Sequence, residues 1–215
     1  ENAYRGISHS RSRDTPGNFT VLSRIQCNYE DILTHLYKVT NEPEYLRRAI
    51  DISQKSIDSA RKADIISWIA ESSWKIARKH DILGEHIEAA DNFRLASKSY
   101  VKVAEKIPQL KDFYQDHASY MNAWSEIERA KHAHKEKKYR MAKESYEKAA
   151  ELHETTKQWE YLSPNYLAWA RLEEAEDLSR TEHTQKAREI FQQASKLFVK
   201  AGESIETKLK TIEAE

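Results

Sequence analysis

From Asn18 onward, apolar side chains recur at spacings of three and four, the period of helices that bury one face. Interruptions fall mainly at the few glycines, prolines and capping residues, and they divide the chain into eight or nine predicted helices. These span about 19–40, 43–61, 64–84, 85–107, 111–135, 139–157, 163–180 and 184–202, followed by an amphipathic stretch to the C-terminus. Pro43 suits a first helical position, Ser163 before Pro164 marks another start, and Asp64 and Thr184 are predicted caps. Residues 1–17 differ, with Ser8, Ser10, Ser12, Arg11, Arg13 and the turn-like Thr15-Pro16-Gly17-Asn18. They read either as a flexible leader or as the frayed end of a helix from a preceding unit.

The helical pattern itself repeats. Ala-x3-aromatic-x2-Ala occurs as Ala89-Phe93-Ala96, Ala142-Tyr146-Ala149 and Ala187-Phe191-Ala194, where chance would supply roughly 0.2 occurrences. Ala49-Ser53-Ser56 is a degenerate fourth copy, and successive anchors lie 40, 53 and 45 residues apart. In the helix over 85–107, Ala89, Phe93, Ala96, Tyr100, Val103 and Ile107 form one apolar seam; Ala187, Phe191, Ala194, Phe198, Ala201 and Ile205 repeat it. Small alanines let a neighbouring helix approach, and the aromatic fills the space between them. The helix over 64–84 carries two stripes, Ile66-Ile69-Ala70-Ser73-Ala77 and Ile65-Trp68-Ser72-Ile76. A helix covered on two sides is what stacked hairpins require.

These features resemble the tetratricopeptide-type helical repeat family. The second unit matches best, through Ala77, the turn residue Gly84, and Ala89, Phe93 and Ala96. The third matches through Ala130, Tyr139, Ala142, Tyr146 and Ala149, the fourth through Ala175, Ala187, Phe191 and Ala194, and the first through Leu36, Leu46 and Ala49 only. Units of 40 to 53 residues exceed the family's usual length of about 34. The resemblance implies an all-α fold, a right-handed superhelical array (α-solenoid) of about four antiparallel hairpins plus a C-terminal helix. The repeat domain would cover 18–215, with units at 19–62, 63–108, 110–158 and 163–202 and a terminal helix over 203–215.

It also implies that the first helix of each unit lines a concave groove. The residue after the small position near the middle of that helix would point into the groove, and this residue is Lys38, Arg78, Lys131 and Glu176 in turn. Three consecutive cations, with His134, Lys135 and Arg180 on the same face, suit an acidic or C-terminal carboxylate peptide. The expected role is a non-enzymatic protein-protein interaction scaffold. The alternative is a regulatory or sensor module that binds a small ligand or nucleic acid between repeats and controls an enzyme or nucleic-acid-acting domain elsewhere in a longer protein.

Composition narrows the picture. Four glycines and four prolines in 215 residues fall far below the roughly 26 that average usage would supply, which excludes sandwiches, barrels and glycine-loop nucleotide folds. Lys plus Arg equals Asp plus Glu at 35 each, which argues against a dedicated nucleic-acid binder and against bulk attraction to a membrane. The longest apolar run, 65–70, holds six residues and is no transmembrane span, and the first 20 residues lack the apolar stretch of a signal peptide. Cys27 is the only cysteine, so an internal disulfide is excluded and a cytoplasmic location is expected. A start at Glu1 and an end inside a charged helical pattern read as a piece of a longer polypeptide. The final stretch, with Ile205, Leu209 and Ile212, is expected to cap the array or to pair with a second copy as a homodimer.

No GxSxG, phosphate-binding glycine loop, HExxH or CxxC occurs, and no enzymatic activity, cofactor or metal is expected. Cys27 reads as a packing residue, and His80, His86, His132 and His134 as solvated or packing side chains. The five tryptophans (Trp68, Trp74, Trp124, Trp159 and Trp169) read mostly as inter-helix packing. Glu173, Glu174, Glu176 and Asp177 read as a solvated helix face, interleaved by Ala175 and Leu178. The basic segment from Lys131 to Lys143 is either a solvated turn or a contact for an acidic partner.

Overall fold

The computed structural model describes residues 15–181 and 183–214. Residues 1–14 of the leader segment lie outside them. Eight α-helices and two short 3-10 turns make up the regular structure of the described residues. They are α1 (Pro16–Thr40), α2 (Pro43–Lys62), α3 (Ile66–Ile82), α4 (His86–Lys106), α5 (Lys111–Lys135), α6 (Tyr139–Glu154), α7 (Ser163–Arg180) and α8 (Thr184–Ala214). None is long and apolar enough to cross a membrane.

Three boundaries differ from the sequence reading, each for a local reason. The Thr15-Pro16-Gly17-Asn18 segment is a helix start rather than a turn: Thr15 is extended, its hydroxyl accepts from the Asn18 N–H, and Pro16 takes the first helical position. Asp64 does not cap α3; it sits at φ 54° just past the end of α2. Gly202 ends nothing, because α8 runs through it to Ala214.

Three helix ends close in the same way. Asp64, Gly84 and Lys137 adopt left-handed φ values of 54°, 71° and 58°. In each case the following amide reaches back five residues: Ile65 to Ala60, Glu85 to His80 and Lys138 to Ala133. This satisfies carbonyls that the last helical turn leaves open. Five residues past Gly84 and Lys137 stand Ala89 and Ala142, the first residues of their seams.

The chain forms two compact units, one ending at Ala118 and the next beginning at Ser119, inside α5. In the first unit α1 and α2 are antiparallel, because the Ser23 hydroxyl meets that of Ser56 at 2.9 Å while the Arg48 guanidinium donates to Tyr29 near the other end. Leu33, Ala49 and Ile52 form their core. Ala49, Ser53 and Ser56 are all buried, so the degenerate motif copy packs like the others with a hydroxyl in place of the ring. The α3 and α4 helices form the next hairpin, and Lys106 near the end of α4 pairs with Asp64 just before α3.

In the second unit Ile127 and Ala130 of α5, Tyr146, Ala149 and Ala150 of α6, and Tyr166 and Ala170 of α7 share one core. Trp169 of α7 meets Phe198 of α8 edge to face at 5.5 Å. Each fully buried large apolar side chain in these cores contributes about 1.5–3 kcal/mol.

Candidate functional site

The hairpins bring their first helices side by side within each unit. In the first unit Lys75 on α3 donates to Asp31 on α1 at 2.7 Å and to Glu30 at 3.0 Å, and Lys79 pairs with Glu30 as well. One turn and more toward the N-terminal ends, Trp68 shares a cavity with Arg24. The two helices therefore run in the same direction. Glu30 and Lys79 are almost wholly buried. Burial alone would raise the Glu30 pKa, but Lys79 and Lys75 outweigh it and hold the carboxyl below its ordinary value. Lys75 shifts upward despite its burial, because Asp31 and Glu30 both hydrogen-bond to it.

This buried pair anchors a polar surface. On α1 the stripe Arg24, Asn28, Asp31, His35 and Lys38 is exposed; on α3 Trp68, Glu71, Lys75 and Arg78 follow at matching helical spacing, each exposed or half-buried. Lys38 and Arg78, expected to face a groove, thus continue the stripes that line the cavity. Arg78 also stands 3.7 Å from Asp81. The cavity holds about 270 Å³ and is lined by Arg24, Cys27, Asn28, Asp31, Trp68, Glu71, Ser72 and Lys75. The Cys27 thiol is 3.3 Å from the Ser56 hydroxyl.

The second unit follows the same plan with different residues. His134 Nδ1 lies 2.9 Å from Glu173 Oε1, so α5 and α7 are bridged by a buried carboxylate, as α1 and α3 are. Burial raises the Glu173 pKa, with His134 opposing. Lys131 donates to the buried Glu128 at 2.6 Å and stands over the Trp124 ring. Arg180 lies over the Tyr139 ring at 4.8 Å, and Lys135 is exposed. Of the six residues singled out, Lys131, His134 and Arg180 are held by neighbours within this unit.

Two sequence readings need correction. Glu173 is not part of a solvated face: it is 1% exposed and bonded to His134. His80 is not merely a packing residue, since its Nδ1 sits 2.7 Å from Glu85, which Arg47 also contacts. Trp74 and Trp169 retain over a third of their surface, whereas Trp159 stacks on Tyr120 at 4.1 Å. The basic segment contains the tight turn at Lys137, and Lys143 pairs with Glu174 at 3.2 Å. Periodicity shows which positions share a face of one helix, but these pairs are 31 to 39 residues apart or cross a turn.

No family model, curated protein or solved structure matches the chain.

Proposed function

We propose that the chain is a tetratricopeptide-like helical-repeat scaffold, non-enzymatic, that docks an acidic polypeptide segment on the first helices of its hairpins. The observation that carries this reading is the bridging of first helices in each unit, α1 with α3 and α5 with α7, by a buried carboxylate. Such pairing frees the polar stripes of these helices from core packing and holds them in a fixed spacing. A surface ordered before binding spares the complex that part of the entropy cost. In the first unit the paired stripes carry Arg24, Lys38, Lys75 and Arg78 against Asp31 and Glu71, a cationic excess that favours an acidic segment.

The test is fluorescence anisotropy with a labelled Asp/Glu-rich peptide bearing a free C-terminal carboxylate. A single reversal, Lys38→Glu or Arg78→Glu, is expected to weaken binding about tenfold at low salt. Equal binding of a Lys-rich peptide of the same length, or affinity indifferent to both reversals, would show the reading to be wrong.

A further inference from the structure

The α1–α3 cavity contains more than its surrounding charges require. Lys79 and Lys75 are committed to Glu30 and Asp31. Arg24 and Glu71, on opposite walls, make no ion pair among the described residues, yet both line the cavity. Because α1 and α3 run in the same direction, Arg24 lies level with Trp68, and Glu71 lies about one turn further along beside Asn28. The cavity thus offers a guanidinium on one wall and a carboxylate about a helical turn along on the other, with the Trp68 indole and the Asn28 amide also in its lining. Lys75 at the wall is tied to the buried Glu30, which also pairs with Lys79, and Ser72 at the wall is itself 2% exposed. The volume of about 270 Å³ falls just under the roughly 300 Å³ at which sites for drug-sized ligands begin.

We infer that this cavity binds a zwitterion of amino-acid size, with its carboxylate on Arg24, its ammonium on Glu71 and its side chain against Trp68. A guanidinium and a carboxylate of opposite charge match the two ends of such a ligand and no singly charged one, since a lone anion would face Glu71 and a lone cation would face Arg24. Asn28 supplies both a donor and an acceptor between the two ends. The site stands independently of polypeptide docking, and a ligand there would occupy part of the same α1–α3 surface.

Cys27 provides the reporter, as the single thiol of the chain and part of the cavity wall. The experiment measures the alkylation rate of Cys27 by iodoacetamide in the full chain. The probes are free L-glutamine, L-methionine and L-phenylalanine, with the N-acetyl and C-amide derivatives of each; amide NMR shifts over 24–31 and 68–75 are recorded in parallel. At least one free amino acid is expected to slow alkylation saturably and shift those amides, with the acetyl and amide forms weaker by about tenfold or more. Arg24→Gln should remove the preference for free acid over amide, and Glu71→Gln the preference for free amine over acetylated amine. The variants change exposed side chains, so circular dichroism should remain that of the parent chain. The inference is overturned if no free amino acid protects Cys27 at about 10 mM, if the blocked derivatives protect as well as the free forms, or if neither variant changes the preferences.

Discussion

His153 is wholly buried on α6, and among the described residues neither of its ring nitrogens has a hydrogen-bond partner. It stacks on Tyr166 at 5.2 Å and meets Tyr120 edge to face at 5.7 Å, inside a run of aromatic contacts that continues to Trp159 on one side and Tyr146 on the other. Burial pushes its pKa from 6.5 down to about 4. Between those values the unfolded chain takes up the proton and the folded chain does not. Its contribution is therefore intact above about pH 6.5 and is lost as pH falls toward 4, by about 3 kcal/mol in all. His153→Phe should remove that part of the acid dependence when urea unfolding is measured from pH 7 to 4, and should not reduce stability at pH 5; an unchanged pH profile would mean that the ring is not held neutral. Nothing in the sequence marked this residue, because a histidine on a helix looks the same whether its face is covered or wet. Glu30 and Glu173 were hidden for the same reason: a carboxylate among charged neighbours reads as surface until a partner 39 or more residues away closes over it. Cys27, by contrast, was legible as a packing residue, since Ser23 and Cys27 are one turn apart and both meet Ser56.

At the scale of the helix, the seams were the clearest signal. Ala89, Phe93 and Ala96 and then Ala142, Tyr146 and Ala149 are all buried, as a small-large-small pattern at helical spacing demands. On α8 the flanking Ala187 and Ala194 are buried, but Phe191 is only half-covered and borders an open, apolar depression of about 430 Å³. Helix ends were less legible, because a glycine has two meanings. Gly84 is at φ 71°, where an added Cβ is strained whatever the space around it; Gly202 lies inside α8 with nothing within 4 Å of an added Cβ. Gly84→Ala should therefore lower stability by about 1 kcal/mol, and Gly202→Ala should raise it by about 0.5–1 kcal/mol. Thermal melts of the two variants check this, and matching shifts in the same direction would contradict the two conformations. Asp64 and Lys137 occupy the same left-handed position as Gly84 without being glycine, so counting glycines could not find those turns.

For the molecule as a whole, the sequence made the all-helical class, the hairpin order and the positions of the seams readable, because all three depend on local period and on turn residues. The polar bridges between first helices depend on contacts made only after folding, so the sequence could place Lys38, Arg78, Lys131, His134, Lys135 and Arg180 on first helices but not name their neighbours. In both units a buried carboxylate joins the first helices, and breaking either bridge should loosen the surface it supports. Glu30→Gln would leave the buried Lys79 without its counter-charge, a change expected to cost about 3–5 kcal/mol in chemical unfolding, whereas Asp31→Asn at the exposed end of the same network should cost under about 1 kcal/mol. Equal costs would mean that the buried pair does not organise the surface. The most direct test of the central claim is amide chemical-shift mapping of the full chain titrated with the acidic peptide. Shifts should concentrate on the stripes of α1 and α3 around Arg24, His35, Lys38, Lys75 and Arg78, with smaller changes near Lys131, Lys135 and Arg180. Shifts confined to α2, α4, α6 or α8, with the first helices silent, would contradict it.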